Sequence, residues 1–330
     1  MRIGDAELKY GLMLAPMAGF SDRAMRYVCH SLGAELCVTE MVSAKAVTYG
    51  DKKTCKLACI RADEGPVSLQ IFGKEPDVMA RAAYVLSRAE GSEGAVAPVS
   101  IDINMGCPVE KVFKNGEGSA LMRDPELIYR IVKAVKGNID IPVTVKLRSG
   151  VNAESINAVE CALAAESGGA SLICVHGRTR VQMYSGNADR QIIKEVKKSV
   201  NIPVIANGDV NSGEDALGML RDTGADGLAI GRGAVGNPFI FEEIISALEG
   251  KEYTPPSLDG RISTALRQLW LAVEDKGERI AIPEARKQIA MYLKAFKGAA
   301  RIRSEINGAV LYSEVEEILL GALDEQRLGE

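Results

Sequence analysis

Long hydrophobic runs are missing from this chain. No apolar stretch approaches the ~18–20 residues of a membrane span, and the opening MRIGDAELKY has no apolar core of the secretory kind. Neither a membrane protein nor a secreted one is expected. Cysteines number seven, an odd count in irregular spacing, which argues against a disulfide framework and suits a reducing cytoplasm. Cys55 and Cys59 in CKLAC lack a second ligand pair and any nearby His, so no metal site is expected. No Gly-x-Gly-x-x-Gly follows the first strand run, which removes the main argument for a dinucleotide-binding fold. An excess of positive charge is also lacking: 40 Lys and Arg face 44 Asp and Glu, net −4. That argues weakly against a dedicated nucleic-acid binder.

What is present is ordinary globular composition at a length, 330 residues, that suits one large core plus an appendage. Branched apolar runs recur at 12–19, 36–42, 67–73, 101–108, 143–150, 172–179, 204–209 and 227–233. Between most of them lie amphipathic segments such as PDVMARAAYVLSRAE and DPELIYRIVKAVKGN. Asp124-Pro125 and Ser212 suit helix starts, and Gly33, Gly137, Gly168 and Gly224 suit helix ends. Strand and helix alternation predicts a parallel sheet buried on both faces. Eight units over residues 1–250 fit a TIM (β/α)₈ barrel, although spacing alone also admits an open doubly wound sheet. After KEYTPPSLDG, a linker at about 250–260, strand runs stop. Residues 251–330 read as a small all-α domain of three helices, within 261–277, 284–298 and 313–328.

In such a barrel, chemistry collects where the strands end. Those positions hold Pro16-Met17-Ala18, Gln70, Asn104 with Cys107, and Lys146 with Arg148. They also hold His176 with Arg178, Asn207-Gly208-Asp209, and Gly231-Arg232. Gly-Asp after the seventh run and Gly-Arg-Gly after the eighth suit a phosphate. A phosphorylated planar cofactor such as flavin is expected across the mouth, its ring edge met by Lys146 and the side-chain amides. Each residue also has a plainer reading. Lys146 could be a paired surface cation, Asp209 a helix cap, His176 a satisfied core imidazole, and Cys107 a buried filler. His30 is read as structural.

Several motifs together resemble the tRNA-dihydrouridine synthase family: APMAGFSD (15–22), SLQIFG (68–73), DINMGCPVEKV (102–112), VTVKLRSG (143–150), HGRTRVQMYSG (176–186), ANGDV (206–210) and IGRGAVGNPFIF (230–241). RKQIAMYLKAFKGAARIRSEIN (286–307) is similar to the helical RNA-binding domain of the bacterial branch. The resemblance implies FMN, NADPH or NADH as electron donor, and uridine in tRNA as substrate. It implies flavin contacts from Pro16, Met17, Ala18, Gln70, Lys146 and His176, and phosphate contacts from Asn207, Gly208, Asp209, Gly231 and Arg232. Cys107 becomes the proton donor, and Asn104 and Arg178 become uracil contacts. Saturating uracil needs a hydride at C6 and a proton at C5, and a thiol is mostly protonated at neutral pH. Gly106 and Pro108 hold that thiol on a stiff turn.

A stacked base hides both faces, so a splayed nucleotide is required, with phosphate contacts supplying most of the affinity. Residues 285–304 contain no Asp or Glu but hold Arg286, Lys287, Lys294, Lys297, Arg301 and Arg303. Of these, Arg286, Lys287, Lys294 and Arg301 are the expected tRNA contacts, and Lys111 and Lys114 extend the track; a solvated helix face is the plainer alternative. The family segment commonly reads Arg-Lys-His followed by Trp-Tyr, whereas this chain has Gln288 and Met291 there, keeping Tyr292. That leaves open which uridine is reduced. Two rivals remain: a flavin barrel acting on free pyrimidines, and a non-catalytic tRNA binder. A monomer in the cytoplasm is the expected working form.

Overall fold

The computed structural model describes residues 1–88, 94–294 and 296–328. Eight parallel strands follow in chain order: β1 (Leu12–Leu14), β2 (Leu36–Val38), β3 (Val67–Phe72) and β4 (Ser100–Asn104), then β5 (Val143–Arg148), β6 (Leu172–His176), β7 (Val204–Asn207) and β8 (Gly227–Ile230). β8 pairs back to β1, and β2 pairs with both β1 and β3, so the ring is closed and the open sheet is ruled out. Around it run α1 (Arg23–Ser31), α2 (Pro76–Leu86), α3 (Pro125–Lys136), α4 (Ala158–Ser167), α5 (Arg190–Ser199), α6 (Gly213–Thr223) and α7 (Ile240–Leu248). Local chemistry sets their ends. Asp124 accepts from the Leu127 N–H ahead of Pro125, Ser212 accepts from that of Asp215, and Gly224 closes α6 at φ 68°.

Strand alternation divides the core. One set of side chains, including Ile101, Ile103, Val143, Val145 and Leu147, packs against helix residues such as Ile128, Ile131 and Val135. The other set points into the barrel. There Met13, Leu36, Val38, Leu172, Cys174, Ile205 and Ala229 form an apolar plug with Ile3 and Leu8, which flank a short N-terminal hairpin. The inward positions of β3, β4 and β5 are polar instead: Ser68 and Gln70, Ser100, Asp102 and Asn104, then Thr144 and Lys146. These three strands are therefore not apolar on both faces, as continuous runs suggest.

After coil at 251–257 come four helices, not three: α8 (Leu258–Lys276), α9 (Glu278–Tyr292), α10 (Ala299–Gly308) and α11 (Tyr312–Leu328). The stretch read as one helix over 284–298 stops at Tyr292, and Gly298 at φ 77° precedes α10. α9 also starts upstream of Pro283, which sits inside the helix in its second turn and leaves the Arg279 carbonyl without its helical donor. These helices enclose their own cluster around Leu269, Ile289, Tyr292 and Leu319, joined by Phe239 from the barrel. Ala24 and Val28 of α1 pack on Leu271, Ala272 and Ala281, and Lys276 Nζ reaches Asp22 at 2.7 Å.

The tightest junction is Gly236, at φ 66°, where a Cβ would lie 2.3 Å from the Met291 Cβ and 2.9 Å from the Tyr292 nitrogen. Gly236→Ala is therefore expected to cost at least ~1–3 kcal/mol from backbone strain alone. The expected readout is a lower thermal midpoint; an unchanged midpoint would show that the junction yields freely.

Candidate active site at the barrel mouth

A cavity of about 630 Å³ opens at the C-terminal ends of the strands. Pro16, Met17, Ala18, Gln70, Asn104, Cys107, Lys146, His176, Asn207, Gly208, Asp209, Gly231 and Arg232 all line it. Lys287 and Met291 of α9 reach its rim. Arg178, Arg286, Lys294 and Arg301 do not line it.

A directed chain of hydrogen bonds runs along the polar side. Thr144 Oγ1 donates to Asp102 Oδ1 (2.5 Å), and Gln70 Nε2 to Asp102 Oδ2 (2.6 Å). Asn104 Nδ2 donates to Gln70 Oε1 (2.9 Å), and the Cys107 N–H donates to Asn104 Oδ1 (2.9 Å). Asn104, expected against uracil, thus has its oxygen engaged in holding the Cys107 turn. The far side of that turn is held by Ser119 Oγ, which donates to the Cys107 carbonyl at 2.8 Å. Arg148 Nε donates to the Gly106 carbonyl (2.8 Å), while its Nη1 reaches the carbonyls of Thr179 and Met183. Burial lowers the Arg148 guanidinium to about 10, still charged at neutral pH. Cys107 is 9% exposed. Burial is the largest influence on its thiol and raises it, the Val109 N–H and Arg148 countering only in part.

Lys146 Nζ donates to Asn207 Oδ1 at 2.9 Å, and among the described residues no carboxylate lies within ion-pair distance of it. It is not a paired surface cation. Burial pulls its ammonium down, as expected for a charge facing a cavity rather than water. His176 is buried, and its Nε2 has no hydrogen-bond partner, so it is not a satisfied core imidazole. Burial, with Lys146, Arg148, Arg178 and Arg232 nearby, drives that ring down to about 2, hence neutral.

Beyond β7 and β8 the backbone is bare. Gly208 sits at φ 124°, where a Cβ would meet the Ala188 Cβ at 2.6 Å, and at Gly233 one would meet the Val210 carbonyl at 2.4 Å. Asp209, at φ 52°, starts no helix; Ser212 caps α6. Its carboxylate accepts from the Ala188 N–H (2.7 Å) and pairs with Arg178 (2.8 Å) and Arg232 (3.5 Å). Burial raises that carboxyl, but these partners outweigh it and hold it below the ordinary range. Arg178 is 2% exposed and also donates to the carbonyls of Ser185 and Gly186. It ties the loop after β6 to the cradle, and its guanidinium is not available to a base.

On the helical side, Lys287 and Lys294 are exposed. Arg286 is half-buried and bonded to the Ala309 carbonyl (2.6 Å), and Arg301 pairs with Glu305 and Glu325. Lys114 pairs with Glu110. Gln288 is 3% exposed, inside the helical core beside Gln268, so that position makes no surface contact. Met291 is 50% exposed. Sequence reasoning assigned no role to Asp102 or Arg148, although Ser-x-Asp-x-Asn and Thr-x-Lys-x-Arg on paired strands place both on the inward face.

Among the described residues, no three His, Cys, Asp or Glu side chains cluster as metal ligands, and no helix is long and apolar enough to cross a membrane. All seven cysteines are free. A closed ring of strands with titratable groups at its C-terminal mouth defines a (β/α)₈-barrel enzyme. Residues 13–326 match the family described as dihydrouridine synthase (Dus). The tRNA-dihydrouridine synthase B of Shewanella oneidensis is 42% identical over 321 residues, covering 96% of this chain and 97% of that one. A probable tRNA-dihydrouridine synthase of Rickettsia conorii is 39% identical over 309 residues, covering 93% and 91%. The chain belongs to the dihydrouridine synthase family. Histamine dehydrogenase from Rhizobium sp. 4-9 shares the fold, at 13% identity and TM-score 0.56, covering 82% of this chain and 50% of that one.

Proposed function

We propose that this chain reduces the C5–C6 bond of particular uridines in tRNA to 5,6-dihydrouridine, with FMN as cofactor and NADPH or NADH as electron source. The observation that carries this reading is one cavity lined by a buried thiol, an ammonium without a carboxylate partner and an orphaned imidazole nitrogen. The residues present fit FMN. Lys146 and the free His176 Nε2 suit an acceptor-rich ring edge, and the bare backbone at Gly208, Gly231 and Gly233 suits a phosphate, with Arg232 beside it. Pro16, Met17 and Ala18 supply an apolar wall. Bound there, FMN would supply hydride chemistry for C6 of uracil, with the nicotinamide as the electron source.

The chain's own residues do the rest. The Cys107 Sγ–H gives its proton to C5, so one hydride and one proton together saturate the bond. Asn104 and Ser119 hold the turn, and burial keeps the thiol protonated until that step. Lys146 offsets negative charge at the ring edge. The exposed lysines of α9 and its end attract tRNA phosphates, and a flipped uridine enters past Met291. A tRNA substrate places this work in the cytoplasm, with a single copy of the chain on each RNA.

The identifying experiment is mapping of dihydrouridine in tRNA from cells with and without the gene, alongside the absorption spectrum of the purified protein. Loss of dihydrouridine at specific positions and a yellow, FMN-containing protein are expected. A colourless protein, or an unchanged map, overturns the reading.

Reversing Lys287 and Lys294 to Glu is expected to weaken tRNA binding and make the slope of log K against log salt shallower. Each lost phosphate contact reduces the slope by ~0.7–0.9. Arg286 is left out because its bond to Ala309 makes it structural. Filter binding over a salt series is the check, and an unchanged slope removes these lysines from the RNA surface.

A further inference from the structure

Asp102 has no part in the reaction just described, yet it is 4% exposed and, with Glu64, one of two buried carboxylates among the described residues. We propose that Asp102 is a positioning residue: it sets the direction of the hydrogen-bond chain that ends at Cys107, and so fixes both the Gln70 amide and the turn carrying the thiol. The inference rests on the reading of Cys107 as the proton donor.

Two of the groups involved cannot turn. The backbone N–H groups of Gly106 and Cys107 are donors, and both point at Asn104 Oδ1 (3.3 and 2.9 Å). Asn104 therefore offers only Nδ2 to Gln70, which accepts through Oε1. Gln70 is left with Nε2 toward its other neighbour, where a carboxylate oxygen waits at 2.6 Å. Thr144 donates to the second carboxylate oxygen. Asp102 is the one member of this chain that accepts on both sides.

A carboxamide can rotate by half a turn with almost no change in shape, so packing does not define which end is oxygen. Here the definition comes from the two termini. Without an acceptor at position 102, Gln70 Nε2 is a buried donor without a partner, and the side chain is free to swing away in search of one. Asn104 Nδ2 then loses its acceptor, and the carboxamide that holds the Cys107 N–H is no longer anchored. A buried donor without an acceptor is costly, and the turn relaxes. Register supports the relay: Gln70, Asp102 and Thr144 stand level on adjacent strands in one inward layer, and Asn104 and Lys146 in the next.

Substitution separates orientation from charge. Asp102→Asn keeps the order, because its oxygen accepts from Gln70 while its amide donates to the Thr144 hydroxyl. Asp102→Ala removes the acceptor, and Asp102→Leu does so at nearly the original shape, should the alanine variant not fold. The primary measurement is the rate of iodoacetamide modification of Cys107 in the purified protein across a pH series. Peptide mass spectrometry resolves it, because Cys55 is exposed and Cys59 half-buried. The Ala or Leu variant is expected to raise that rate at least about tenfold and lower kcat by a similar factor with KM for tRNA unchanged, and Asn to rescue both to within about threefold.

Wild-type labelling in the Ala or Leu variant overturns the proposal. So does an Asn variant as perturbed as Ala, which would assign the effect to charge. The unsubstituted protein offers a further check: the side-chain amide protons of Gln70 and Asn104 should exchange with water at least about tenfold slower than exposed amides, and fast exchange also overturns the relay. Labelling reads the turn without turnover. If Cys107→Ala still forms dihydrouridine, the proton-donor reading fails while the labelling result stands on its own.

Discussion

Replacing Cys107 with Ala is expected to abolish dihydrouridine formation while NADPH still reduces the bound flavin at the wild-type rate. On the proposed chemistry the two half-reactions separate, because the thiol would serve only the second. Lys146, His176 and the glycines proposed to hold the cofactor are untouched by the substitution, so its binding and reduction should persist. Loss of a positioned general acid typically costs about 10²–10⁴ in rate. Stopped-flow bleaching of the flavin, followed by single-turnover oxidation with tRNA, separates the two. Equal tRNA-dependent oxidation in mutant and wild type removes Cys107 from the mechanism.

The same measurement has a pH signature. Burial raises the thiol above its ordinary range, and a proton donor works while its proton is on. The single-turnover rate should therefore stay flat through neutral pH and fall only on the alkaline side, as the raised thiol titrates. His176, driven down to about 2, contributes no limb in the usual histidine range. A rate falling between about pH 6 and 7 would point to a different acid.

The second large effect concerns stability. Arg26 on α1 and Glu64, ahead of β3, are 2% and 0% exposed and meet at 2.6 Å between Nε and Oε2. Arg26 Nη1 also donates to the Ser21 carbonyl, and Glu64 Oε1 accepts from the Arg61 N–H. Arg26→Met leaves a carboxylate buried without its counter-charge, and a loss of ~3–5 kcal/mol is expected at neutral pH. Burial is the main influence on Glu64 and raises its carboxyl despite Arg26. A raised carboxyl favours the folded state only while protonated. The loss should therefore shrink as pH falls through that raised value, where the orphaned Glu64 takes up a proton. Urea unfolding midpoints at neutral and mildly acidic pH are the check. Arg26→Met with Glu64→Leu should recover most of the loss, since a well-packed apolar pair removes both charges. A double variant as weak as the single would show that side-chain shape, not the stranded charge, governs the site.

The barrel was legible because its punctuation is local. Branched runs, cap residues such as Asp124 and Ser212, and glycines at helix ends need no distant information. The strand-end residues were legible for a related reason: in a parallel barrel every strand delivers its last inward residue to the same face. What stayed hidden depends on distances between segments. Arg178 stands next to Gly177 in a motif that resembles a substrate contact, and only the fold shows its guanidinium engaged by Asp209 and the loop carbonyls. Arg301 looks free within the acid-free run because its partners lie beyond that run, Glu305 four residues on and Glu325 24 residues away. The break between α9 and α10 was obscured by an even spread of Lys, Ala and aromatic residues, with Gly298 the single marker. Asp102 could have been found from the two-residue period of SIDIN, but its purpose needs Gln70 and Thr144 on either side.

Gly236, Lys276 and the Ala24–Leu271 packing join the helices to the barrel at separate points, and the first tolerates no side chain. The span from Lys287 of α9 to the thiol is thus a rigid ruler rather than a tether. On the proposed function, an RNA gripped at one end would offer the other only the nucleotide that lies at that measured reach. The choice of uridine then becomes a matter of length and angle, and lengthening the coil at 251–257 alone would not retune it.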